Sequence, residues 1–143
     1  TADYNGGGIA VIERVFESGA VRPEAFLLKI LFTAVTIGAG FKGGEIVPTL
    51  FIGATMGGAL ALVLGMSPAF GAAVGIAALF CGVTNCPLAT VLLSIELFGG
   101  EGALFYMIAA FVSFLLSGYF SLYSGQRIVF SKLREEEVNV QGP

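Results

Sequence analysis

The chain has 143 residues, of which 56% are hydrophobic and 12% charged, with a formal net charge of −3 and no His. Soluble domains carry about 25% charged residues, so this composition excludes both a disordered chain and a water-facing globule. The acidic balance leaves no basic footprint for nucleic acid.

The few charges are unevenly placed. No Asp, Glu, Lys or Arg occurs in the 50 residues 46–95, nor in the 25 residues 102–126. A helix rises about 1.5 Å per residue and bilayer hydrocarbon is about 30 Å thick, so the first stretch is long enough for two or three crossings and the second for one. The expectation is an integral, multi-pass membrane segment. The opening TADYNGGG has no Met, basic stretch or cleavage signal, as expected of a piece of a longer membrane protein.

In chain order, the Gly triplet 6–8 precedes IAVIERVFESG, where Ile9, Ile12, Val15 and Phe16 recur at helical spacing beside Glu13, Arg14 and Glu17. That pattern predicts a short amphipathic helix ended by Gly19. Arg22, Pro23 and Glu24 form a polar restart. Residues 25–37 read as an apolar helix interrupted only by Lys29, a side chain able to snorkel from near a helix end. Gly38, Gly40, Gly43 and Gly44 break it. Pro48 then stands at the start of a new apolar run, where a missing N–H costs nothing.

Ser67 and Pro68 punctuate the chain again. The run that follows is expected to split into two helices at Thr84, Asn85, Cys86 and Pro87, because Asn85 and Pro87 form a turn signal. A last span is expected over 103–123, followed by a polar amphipathic tail. Gly53 with Gly57, and Gly71 with Gly75, sit at small-xxx-small spacing and predict close helix contacts. Cys81 and Cys86 lie in the uncharged stretch with no His nearby. They read as small buried residues, and no disulfide, metal site or cofactor is expected.

The segment GAGFKGGEIVP, residues 38–48, admits more than one reading. Gly38, Gly40 and Gly43 match a GxGxxG dinucleotide fingerprint, but that site also needs an acid about 20 positions on and a helix covering a sheet. The charge-free residues 46–95 exclude it. A second reading is an anion cradle at a helix start, where the N–H groups of Glu45, Ile46 and Val47 have no partner inside the helix. Orphan donors and about half a positive charge of dipole bind an anion without Lys or Arg. A Gly-rich connector with no ligand remains the plain alternative.

With these residues in view, the chain resembles the CLC family of chloride channels and proton-coupled chloride exchangers. GGEIVPTLFIGATMGGALA, residues 43–61, is similar to the family's GxFxP element, with Gly44 and Pro48 matching and Ile46 in place of Phe. NCPLATVLLSIEL is similar to APLxxxxLxxE, giving Pro87, Leu88 and Glu96. The Gly triplet after Tyr4 and Asn5 resembles a Gly-rich helix start, and SLYSGQRIVFSKL offers Tyr123 where the family places a Tyr on a short terminal helix.

The resemblance implies an all-α integral membrane fold, the C-terminal part of the second inverted repeat of a CLC-like transporter, with broken and tilted helices. Residues 1–143 would be one partial transmembrane domain, with 124–143 a short terminal helix and cytoplasmic tail. It implies chloride transport, by a channel or a chloride/proton antiporter, and no enzyme activity. The anion would be held by the amides of Glu45 and Ile46 and the Tyr123 hydroxyl, supported by Gly43, Gly44, Val47 and Pro48. The partners implied are a halide, the bilayer, a second copy in a homodimer through 86–98 and 103–120, and the N-terminal part of the same polypeptide, which carries the rest of the pore.

Glu45 departs from the pattern, since chloride-handling relatives carry an apolar residue there. Two unit charges about 6 Å apart at an effective dielectric of about 20 repel by about 3 kcal/mol, about a hundredfold in anion affinity. The carboxylate is therefore expected to cap its own helix, pair with Lys42, or carry a proton when the anion binds. A Glu here also resembles the fluoride-exporting bacterial branch, whose motif reads GGEVTP, although Val47 replaces its Thr. Chloride is the first expectation, fluoride the alternative, and a structural helical bundle without an ion site the third. Glu96 and Glu101 read as solvated or capping residues. Arg127, Lys132 and Arg134 read as a cytoplasmic flank.

Overall fold

The computed structural model describes residues 6–41, 43–119, 121–123, 125–133 and 137–141. Among them the elements run α1 (Ile9–Ser18), α2 (Ala25–Gly38), α3 (Ile46–Val63), α4 (Pro68–Thr84), α5 (Pro87–Phe98), a 3-10 turn (Gly100–Gly102), α6 (Ala103–Leu116), β1 (Arg127–Phe130) and β2 (Glu137–Gln141). The single domain expected from sequence divides by its internal contacts into two compact units, Thr1–Ile76 and Ala77–Pro143.

In the first unit, α1 is the short amphipathic helix its spacing predicts. Val15 is fully buried, and Val11 and Ile12 pack with Leu28 against buried Ala25 and Phe51. Gly19 ends the helix at φ 65°, its N–H bonding Val15 O at 3.2 Å. Helix α2 ends in a Schellman motif: Phe41 N–H bonds Thr36 O at 3.3 Å, Gly40 N–H bonds Ile37 O at 2.9 Å, and Gly40 adopts φ 86°. Only glycine takes that φ without strain.

Helix α3, with 18 residues, is the one helix among the described residues long and apolar enough to cross a membrane by length and composition; the other apolar helices have 10–17. Threonines inside it cost little, because Thr49 and Thr55 each donate 2.8 Å hydroxyl bonds to the carbonyls of Glu45 and Phe51 one turn back.

The small-xxx-small expectation is met by α3 and the first part of α4. A Cβ on Gly53 would lie 2.9 Å from Gly75 O, and one on Gly57 would lie 2.9 Å from the Gly75 Cα and closer still to Gly71 O. The two backbones touch where a side chain would stand. On another face of α3, a Cβ at Gly58 would lie 2.9 Å from a Val21 methyl and 3.2 Å from a Val15 methyl.

In the second unit the predicted break between α4 and α5 is present. Asn85 adopts φ 56°, its N–H bonds Cys81 O at 2.8 Å, and Pro87 opens α5. Cys81 is fully buried with Val91 and Ala110 and donates to Ala110 O at 3.2 Å, so it packs as the small buried residue expected; Cys86 is half-buried, and both are free thiols. Phe98 and Tyr106 meet edge-to-face at 6.0 Å across the turn joining α5 to α6.

Two expectations are corrected here. The last helix stops at Leu116 instead of reaching residue 123, because the chain turns at Gly118, φ 63°. The short terminal helix expected within 124–143 is not found among the described residues there, which form β1 and β2, paired antiparallel with Arg127 opposite Gln141, Ile128 opposite Val140, and an irregularity between Ile128 and Phe130. Both segments, RIVF and EVNVQ, are short and rich in β-branched residues, which suits a strand better than a helix.

Gly57→Val should force the α3 and α4 backbones apart and destabilise the full-length protein by about 1–3 kcal/mol. Thermal unfolding in detergent should show a lower midpoint than for Gly43→Ala, whose Cβ meets nothing within 4 Å.

Candidate functional site

The loop between α2 and α3 and the first turn of α3 form the site that the glycines and Pro48 mark in sequence. Thr49 is the first residue whose backbone N–H bonds back into this turn, to Glu45 O at 3.2 Å. The N–H groups of Glu45, Ile46 and Val47 lie N-terminal to that bond and are orphan donors by helix geometry, at the positive end of an 18-residue helix.

The sharp turn sits at Gly40, whereas neither Gly43 nor Gly44 has a positive φ, and a Cβ on either would meet nothing within 4 Å. Neither backbone conformation nor packing requires glycine at these two positions. What their missing side chains leave is open space in front of the helix start. They line a cavity of about 510 Å³ whose wall also includes Glu45, Val47, Pro48, Lys29, Thr33 and Phe41. The Ile46 side chain is outside that lining and 43% exposed.

Glu45 occupies the N-cap position with φ −83° and ψ −16°, and its side chain makes no capping hydrogen bond. Of the three roles expected for it, self-capping is therefore corrected: a helical ψ aims the side chain away from its own N–H groups, where a capping residue has an extended one. Lys42, the second expected partner, lies outside the described residues. The carboxylate is exposed on the cavity wall, where it opposes the charge of the helix start.

Lys29 is the residue that sequence reading missed. Instead of snorkelling, it is 3% exposed, donates to the Gly6 carbonyl at 2.5 Å, stands 5.1 Å from the Phe51 ring centroid, and lines the same cavity. The one signal for it was a lone cation in the middle of an apolar helix, which marks a functional position by default.

Tyr123 belongs to the second unit. Its N–H bonds Ser121 Oγ at 3.3 Å, its carbonyl accepts the Gln126 N–H at 3.0 Å, and the preceding residue, Leu122, bonds Val83 O at 2.8 Å. The side chain is 47% exposed, and its hydroxyl has no hydrogen-bond partner among the described residues. Glu96 and Glu101 are exposed at the ends of the α5–α6 connection. No cluster of His, Cys, Asp and Glu fit to hold a metal ion occurs among the described residues.

The voltage gated chloride channel family matches residues 2–118 of the chain. A chloride/fluoride channel protein of Pseudomonas syringae pv. tomato is 43% identical over 129 residues, covering 90% of this chain and 28% of that protein. An uncharacterised protein of Methanocaldococcus jannaschii is 34% identical over 89 residues, covering 62% of this chain and 22% of that one. In structure, a CLC-type fluoride/proton antiporter superposes with a TM-score of 0.79 at 32% identity, covering 85% of this chain and 31% of its own. Helical architecture and sequence agree on the class, an all-helical CLC-like fold. The chain belongs to the voltage gated chloride channel family. It spans less than a third of the length of these relatives.

The free space around Gly44 predicts that Gly44→Val changes the unfolding free energy by no more than about 0.5 kcal/mol, read from thermal unfolding of the full-length protein in detergent.

Proposed function

We propose that the full-length protein carries a halide across the cell membrane as a multi-pass transporter, and that the halide is fluoride. The observation that carries this reading is Glu45 on the wall of the cavity at the start of α3. A fixed carboxylate repels every anion, but a protonated one donates a hydrogen bond, and fluoride, the smallest halide, is the strongest acceptor. The GGEIVP sequence supports it, as do the names of two relatives, a chloride/fluoride channel protein and a fluoride/proton antiporter. Chloride, which the sequence alone favoured, is the second reading, supported by the anion-cradle geometry that serves any halide.

In this mechanism the amides of Glu45 and Ile46 and the Tyr123 hydroxyl replace part of the ion's hydration shell. Lys29 offsets the Glu45 charge from the wall of the cavity, and no covalent step is involved. A sphere of the cavity's volume is about 10 Å across, and a unit charge at that distance in an effective dielectric of about 20 contributes about 1.7 kcal/mol. The upstream part of the polypeptide supplies the rest of the pore. The exposed faces of α5 and α6, with Leu88, Leu92, Leu104 and Ile108, suit lipid and a second copy in a homodimer.

Liposome efflux by the full-length protein tests the ion. Fluoride should leave about tenfold faster than chloride at equal gradients or better, a selectivity difference of about 1.4 kcal/mol. Glu45→Leu, which removes the donor, should reduce fluoride efflux, and Tyr123→Phe should raise the half-saturating halide concentration. Chloride efflux equal to or faster than fluoride, undiminished in Glu45→Leu, selects the chloride reading. No halide flux and no halide binding selects the structural bundle.

For the dimer, cysteines introduced at Leu92 and Ile108 should crosslink between copies in the membrane. A monomer in detergent with no such crosslink refutes it.

A further inference from the structure

We propose that Lys132 is a positioning residue for Tyr123: its ammonium closes residues 117–132 into a loop, and that closure holds the tyrosine beside the α4–α5 break. The functional half of this proposal rests on the reading of Tyr123 as an anion ligand.

The Lys132 Nζ donates to three oxygens, those of the Asn85 side chain, the Phe114 carbonyl at 2.6 Å and the Ser117 hydroxyl at 3.1 Å, and lies 4.0 Å from the Phe114 ring centroid. An ammonium has three donors, and all three are used. The acceptors come from two places. Asn85 sits in the break between α4 and α5, while Phe114 and Ser117 form the last turn of α6, where unpaired carbonyls and the negative end of the dipole favour a cation. Burial lowers the Lys132 pKa below the ordinary lysine value, a desolvation cost that the three acceptors and the ring face offset. The Ser117 hydroxyl also donates to Asn85 Oδ1 at 3.1 Å, so break, helix end and tail share one network.

The loop is closed a second time next door, where the Tyr119 hydroxyl and Ser131 Oγ are 2.7 Å apart. Between the closures the chain is tied to the break twice more, by Leu122 N–H to Val83 O at 2.8 Å and by the Gln126 amide to Cys86 Sγ at 3.9 Å. Gln126 also bonds the Ser121 hydroxyl. Tyr123 lies between these ties, with its hydroxyl without a protein partner among the described residues. Such a side chain keeps a fixed position only if its backbone does, and among the described residues Lys132 is the charged anchor on that backbone's return path.

The test uses the full-length protein in detergent and in liposomes, with Lys132→Ala, Ser117→Ala and Tyr123→Phe. Charge-assisted bonds are the strong ones, so Lys132→Ala should speed hydrogen exchange of the Leu122 and Gln126 amides by about tenfold or more, leaving α5 unchanged. Ethylammonium in the buffer should restore protection by filling the oxygen cage. Ser117→Ala removes one acceptor and should act in the same direction by a smaller factor, which keeps the test alive if Lys132→Ala fails to fold. In efflux, Lys132→Ala should raise the half-saturating halide concentration as Tyr123→Phe does, with the maximal rate kept and ethylammonium rescuing the affinity. Unchanged exchange at Leu122 and Gln126 in both loop variants overturns the closure. Faster exchange with unchanged halide affinity, where Tyr123→Phe does shift it, overturns the positioning role. If Tyr123→Phe itself leaves affinity unchanged, the ligand reading of Tyr123 fails and the positioning role with it, while exchange alone still decides whether Lys132 closes the loop.

Discussion

The backbone contact between α3 and α4 at Gly53, Gly57, Gly71 and Gly75 is the constraint on which the first unit depends. Apolar helices in apolar surroundings gain little from hydrophobic burial against each other, so association rests on van der Waals contact, which needs backbones close together. Four absent side chains provide that approach. Gly58 lets Val15 and Val21 close on another face of α3, so α3 is held from two sides. Its N-terminus, with its unpaired N–H groups, is placed by that grip.

Around this helix start the charges oppose one another. Lys29 and the α3 dipole favour an anion, and Glu45 disfavours it. Under the proposed function, such mutually offset charges would bind an ion without trapping it. Buried polar groups elsewhere are neutralised locally. Threonine and serine hydroxyls on α3, α4 and α5 bond carbonyls one turn back, and among the described residues no buried side-chain nitrogen or oxygen lacks a partner.

The second unit is organised by a break. Asn85 in a left-handed conformation ends α4, Pro87 starts α5, and the polar groups exposed there become the attachment points for the segment beyond α6. That segment forms the strands β1 and β2 where a helix was expected. Its anchor residue, Lys132, read in sequence as an ordinary cytoplasmic flank.

Local signals, read one at a time, determined much of this protein: the membrane-type composition, the helix starts and stops at Gly19, Pro68, Asn85 and Pro87, the small-xxx-small contacts, the family, and the glycines that open α3. Each depends on a backbone preference or a spacing within a few residues, which is the information a sequence carries directly. The tertiary structure alone decided that Lys29 is buried at the cavity with Gly6 as its partner, that Glu45 does not cap its helix, and that Lys132 joins the tail to a break 47 residues away. These are long-range encounters of charged side chains. Whether such a group snorkels, caps or bridges depends on which acceptors the fold brings within about 3 Å of it, and spacing along the chain does not encode that.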